Sequence, residues 1–106
     1  MVNAEAVIKD FKQVVTQLYG DRLDKIILYG SRARGDNRED SDFDFIVLLN
    51  DLEISSFHET EKIISSSSAL LQKYNALITA KPVTLHRFTT DNSMFFKNVK
   101  QDAVVV

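Results

Sequence analysis

The sequence predicts a small α/β (α+β) protein in which a mixed sheet of three or four strands is covered by helices, in the order α-β-β-α-β-α. Three observations carry this. Two long stretches repeat apolar residues at helical steps, and three shorter stretches of strand length, mostly apolar, are set off by turn residues. The strands are also too few for a doubly wound sheet.

The first helix is read over residues 4–19. Val7, Ile8, Phe11, Val14, Val15 and Leu18 recur at three- and four-residue steps, with Asn3 as N-cap and Gly20 as stop. Residues 25–29 follow as a short buried strand that ends at Gly30. Residues 43–49, Phe-Asp-Phe-Ile-Val-Leu-Leu, form a second strand closed by Asn50-Asp51. A longer helix is expected from Ser55 or Ser56 to Tyr74. Phe57, Ile63, Ile64, Leu70 and Leu71 make its buried stripe, and Glu59, Glu61 and Lys62 lie outside. The run Ser65 to Ser68 is poor helix material and predicts a frayed or bent segment. Residues 76–85 read as a third strand, placed at an edge because Pro82 cannot donate to a sheet ladder. Residues 91–100 form a short last helix carrying Met94, Phe95 and Val99, capped by Asp91 or Asn92. Val104 to Val106 is read as a terminal strand or a tail.

Composition narrows the class of function. The 106 residues suit one domain, 1–106, with one modest core. Hydrophobic residues at 44% and charged residues at 26% are ordinary for a globular protein. The absence of cysteine excludes disulfides and thiolate metal sites and fits a cytoplasmic protein. No apolar run approaches the ~20 residues of a membrane span, and the N-terminus has no signal core. A formal net charge of −2 gives no general attraction to nucleic acid. The local exception is the cluster Arg32, Arg34 and Arg38.

That cluster sits in the stretch that concentrates the chemistry, from Gly30 to Asp44. Asp42 and Asp44 are two residues apart at the start of a strand, so both side chains point to one face. Two such anions repel by on the order of 4 kcal/mol at 4 Å and an effective dielectric constant near 20. A cation between them, a shared proton or full solvation relieves this, and a hard divalent cation such as Mg²⁺ fits, since it prefers oxygen ligands and is commonly held by one or two carboxylates plus substrate phosphates. Gly30-Ser31 directly follows a strand, where backbone N–H groups and the serine hydroxyl can face an anion. Arg32 and Arg34 add positive charge for the same phosphates. A phosphate turn after one strand and a carboxylate pair opening the next form a far more specific pattern than either alone.

Gly30-Ser31, ten intervening residues and Asp42-Phe43-Asp44 resemble the signature of the DNA polymerase β-like nucleotidyltransferase superfamily. The form Gly-Ser-Arg-Ala-Arg-Gly at 30–35 and the small size are similar to its minimal nucleotidyltransferases. The resemblance implies the nucleotidyltransferase fold. It implies that Gly30 and Ser31 hold the β- and γ-phosphates of a nucleoside triphosphate, that Asp42 and Asp44 coordinate Mg²⁺ or Mn²⁺ and serve catalysis, and that Arg32 and Arg34 assist in nucleotide binding. The reaction implied is transfer of a nucleotide, AMP from ATP, to a partner protein. By the same resemblance the chain would be the antitoxin of a helical HEPN-type (higher-eukaryote-and-prokaryote nucleotide-binding) toxin. The superfamily pattern also implies a third carboxylate on a later strand, yet residues 76–85 contain neither Asp nor Glu. His86, Glu53 and Asp91 stand as alternatives. Two functions therefore remain open: a nucleotidyltransferase, or a module of the same fold that neutralises its partner by binding alone.

Overall fold

The computed structural model describes residues 3–106. Helix α1, Ala4–Tyr19, begins where the Asn3 side chain accepts the Ala6 N–H at 3.1 Å and ends at Gly20, whose φ of 54° stops the helix. A short 3₁₀ turn, Gly20–Arg22, leads into strand β1, Leu23–Tyr29. A four-residue helix α2, Ser31–Arg34, precedes strand β2, Phe43–Leu49. Helix α3, Ser56–Tyr74, crosses over to strand β3, Ile78–Thr84. Helices α4, Leu85–Thr90, and α5, Met94–Asp102, precede the two-residue strand β4, Val104–Val105.

The sheet has the order β3-β2-β1-β4 and is mixed. Strand β1 pairs antiparallel with β2 and with β4, while β2 pairs parallel with β3. A parallel pair needs a long crossover, which α3 supplies. Strand β3 lies at an edge, where a proline is tolerated.

Alternation along β2 divides the core in two. Phe43, Phe45, Val47 and Leu49 face α1 and α3, where Phe45 stacks on Phe11 with centroids 4.3 Å apart. Ile46 and Leu48 face Val83, Phe96 and Val99 on the other side. Asp44 falls on this second face by the same alternation.

The departures from the sequence reading have physical causes. In α3, Ile63 and Leu70 are buried, whereas Phe57, Ile64 and Leu71 are exposed. Neighbours on a helix differ by about 100°, so Ile63 and Ile64 cannot both point at the sheet. Glu59, read as an outer residue, is instead buried one turn before Ile63, where Arg22 donates to it at 3.2 Å. The serine run does not break α3: the Ser67 hydroxyl donates to the Ile63 carbonyl at 2.6 Å, and Ser68 does the same to Ser65 at 3.2 Å. Thr84 caps α4 by accepting the Arg87 N–H, so a helix starts where the third strand was expected to end. The last helix then begins later than expected, with Ser93 rather than Asp91 or Asn92 as its N-cap. Its buried residues are Phe96 and Val99, with Met94 and Phe95 exposed. The terminal valines form a strand, with Val104 and Val105 opposite Leu28 and Ile27.

Candidate nucleotide-transfer site

Antiparallel pairing of β1 with β2 sets Tyr29 opposite Asp44 and so brings Gly30, the next residue, against that carboxylate. The approach is close enough to demand glycine. A Cβ at position 30 would stand 2.5 Å from Asp44 Oδ2, and the backbone there has φ 77° and ψ −158°, a region open essentially to glycine alone. From this turn α2 runs on directly, the Gly30 carbonyl accepting the N–H groups of Ala33 and Arg34. Gly35, at φ 83°, ends it. The structure thus brings Gly30 and Asp44 together; Ser31 opens the helical turn beside them.

Asp42 precedes β2 and is exposed, while Asp44 is half-buried in it. Burial, and then the charge of Asp42, push the Asp44 carboxyl above its usual range, while Lys81 and Arg34 oppose the shift. The charge of Asp42 therefore reaches Asp44. Burial and Asp44 together raise the Tyr29 phenol as well.

The arginines divide. Arg32 Nε donates to the Ser41 carbonyl at 3.0 Å and its Nη2 to the Glu39 carbonyl at 3.0 Å, with the guanidinium 3.9 Å from the centroid of the buried Phe43 ring. It fastens the loop that delivers Asp42 to β2. Arg34 is near enough to Asp44 to act on its charge, and it pairs with Asp36 at 3.1 Å and Asp102 at 3.6 Å.

Two residues that the sequence reading did not single out, Thr79 and Lys81, complete the surroundings. In the parallel register Thr79 lies opposite Asp44, and Lys81 opposite Ile46 on the same face. Both are exposed. Lys81 Nζ rests 4.3 Å from the centroid of Phe95, whose ring meets Tyr29 edge-on at 5.8 Å. Two-residue alternation in 76–85 was available to flag Lys81, but only the strand register tells which face meets Asp44.

The alternative bases lie elsewhere. β3 runs parallel to β2, so the carboxylates sit at the start of the pair and His86 lies past its end, in α4. Seven residues of strand separate these ends by about 20 Å. Glu53 lies beyond the C-terminal end of β2, lining with His86 a groove at that remote end. Asp91 caps the end of α4, accepting the Ser93 N–H at 2.8 Å and facing Arg87 at 3.4 Å.

A pair of oxygen donors, Asp44 half-buried and the exposed Asp42 acting on it as a like charge, suits a hard divalent cation. Among the described residues no group of three or more His, Cys, Asp or Glu is placed to hold a metal ion. Asp42 and Asp44 would hold one together with substrate phosphate oxygens. Among the described residues no helix is long and apolar enough to cross a membrane.

Comparison with known proteins agrees with the geometry. The chain is 34% identical over 106 residues to the candidate protein adenylyltransferase MJ0604 of Methanocaldococcus jannaschii, covering 99% of each chain. It is 42% identical over 72 residues to the candidate protein adenylyltransferase MJ0141 of the same organism, covering 68% of this chain and 71% of that one. Its fold is similar to that of a chain in the crystal structure of a toxin-antitoxin with AMP-PNP, with a TM-score of 0.62 at 16% identity over 97% of this chain and 72% of that one. The sequence profile described as "Nucleotidyltransferase domain" matches residues 8–103, and with a glycine turn and a carboxylate pair joined by strand register, the chain belongs to that nucleotidyltransferase family.

Proposed function

We propose that the protein transfers AMP from ATP to a hydroxyl group of a partner protein in the cytoplasm, with Mg²⁺ or Mn²⁺. Gly30 and Ser31 hold the β- and γ-phosphates, and Asp42 and Asp44 hold the ion. The acceptor oxygen forms a bond to the α-phosphorus, the bond from that phosphorus to the bridging oxygen breaks, pyrophosphate leaves, and the acceptor proton passes to solvent. The ion, when bound, supplies charge neutralisation and activates the nucleophile. Asp44 is set against the phosphate turn, Arg32 keeps the Asp42 loop in place, and Arg34 contributes positive charge beside them. The single observation that carries the reading is the fit of Gly30 to Asp44, with room for hydrogen and not for a methyl group. A turn serving only to connect two strands has no need of a carboxylate pressed against it.

A helical toxin of HEPN type is the partner proposed, with no membrane and with nucleic acid not indicated. The likeness of the fold to a chain of a toxin-antitoxin crystallised with AMP-PNP supports this choice. A second reading, in which the chain neutralises the partner by stoichiometric binding without transfer, is favoured by one observation: on β3, the face that carries Asp44's neighbours presents Thr79 and Lys81 and no acid. Incubation with ATP labelled at the α-phosphate, Mg²⁺ and the product of the neighbouring gene separates the two. Label on the partner that is lost in Asp42→Ala and Asp44→Ala establishes transfer. A stable complex without label refutes it in favour of the second reading.

A further inference from the structure

Two acids and one base share the open face at the start of β2 and β3. Asp44 and Thr79 lie opposite one another, and Lys81 follows Thr79 by one alternation, so its side chain rises from the same face. It is not a freely swinging surface lysine: Nζ rests 4.3 Å from the Phe95 centroid, and Phe95 packs edge-on against Tyr29, the residue before Gly30. An aromatic face holds an ammonium without neutralising it, because the ring supplies a quadrupole and no formal charge. The chain Lys81, Phe95, Tyr29, Gly30 thus ties a fixed positive charge to the same backbone that carries the phosphate turn.

We propose that Lys81 stands as a permanent cation in the place a second divalent ion would take, so that the site holds one divalent ion with Asp42, Asp44 and the nucleotide. This rests on the assignment of Asp42 and Asp44 as the ion-binding pair. Two carboxylates and one ammonium leave a formal charge of −1, enough to share one divalent ion with phosphate oxygens. A second ion would meet both the repulsion of Lys81 and a lack of donors, as the described residues provide no third acid there. In the nucleotide complex Lys81 stands beside the phosphates, contributing charge that is always present and independent of ion concentration.

The experiment is a titration of the whole chain with Mn²⁺ in the presence of a non-hydrolysable ATP analogue, read as bound ion by electron paramagnetic resonance. The wild type is expected to bind one Mn²⁺. Lys81→Met is expected to bind Mn²⁺ about tenfold more tightly, since the competing charge is gone, with weaker analogue binding in low Mn²⁺. Lys81→Asp is expected to bind two ions, and Lys81→Arg to return both readouts to the wild-type values. Position 81 is exposed, so the variants fold, and thermal melting verifies it. Two ions in the wild type, or one ion of unchanged affinity in both Lys81→Met and Lys81→Asp, overturns the proposal while leaving the Asp42 and Asp44 pair in place. No bound Mn²⁺ in any form overturns that pair as well.

Discussion

Replacing Gly30 by alanine tests the site at its tightest point. The new Cβ would lie 2.5 Å from Asp44 Oδ2, and ordinary contact starts near 3.4 Å, so the carboxylate must retreat by about 0.9 Å. A displacement of about 1 Å costs on the order of a hundredfold in rate. The backbone adds its own penalty, because φ 77° with ψ −158° lies where only glycine is at ease, a cost of about 3 kcal/mol at the upper end for such a conformation. Gly35 provides the internal control. It also has positive φ, 83°, but no atom lies within 4 Å of an added Cβ, so Gly35→Ala bears backbone strain alone, about 1 kcal/mol. Urea unfolding of both variants, with transfer of label from ATP measured under conditions where each is folded, separates the terms. Gly30→Ala should be less stable than Gly35→Ala by about 2 kcal/mol and slower by about a hundredfold. Equal stability and rates within threefold of each other would refute the reasoning, for then the turn and the carboxylate would be independent.

Two further outcomes follow from the charges. The Asp44 carboxyl is held above its usual value by burial and by Asp42, so the folded state binds this proton more readily than the unfolded chain. That stability is present at low pH and is lost as pH rises through the folded value. Asp44→Asn should therefore raise the melting temperature of the ion-free protein at pH 7 but not at pH 3, while lowering transfer by about a hundredfold or more; a lower melting temperature at pH 7 would contradict this. Glu59 behaves oppositely. Desolvation raises its pKa, but the hydrogen bond from Arg22 and further partners outweigh it and the net direction is downward. Its contribution is present above the unfolded value of about 4.5 and is lost as pH falls through the folded one. Glu59→Gln should cost about 1–3 kcal/mol at pH 7 in chemical denaturation, from a buried hydrogen bond to a charged group, and should flatten the acid limb of the stability profile.

Sequence made the site legible in so far as the site is local. Gly30 directly follows β1 and Asp44 lies in β2 only fourteen residues on, so a glycine, a turn and alternating acids can be read together within that span. What the sequence could not convey depends on partners far along the chain. Lys81 gains its meaning only from the parallel register of β3 against β2, which no residue in 76–85 declares. Arg32 reads as a phosphate ligand by charge, yet its geometry spends three interactions on the loop, with Ser41, Glu39 and the Phe43 ring. The helix readings failed where apolar residues stood side by side. In α3 the choice between Ile63 and Ile64 was made by the sheet beneath, and the burial of Glu59 by Arg22 from the far end of the 3₁₀ turn.

The edge position of β3 has a temporal consequence. Strands β1 and β2 are paired on both sides, so Asp44, inside β2, opens only when interior pairing breaks. Strand β3 is hydrogen-bonded along one side, and edge strands lie toward the low-stability end of local opening. On fraying, β3 with its Lys81 therefore opens more readily than β2 with its Asp44.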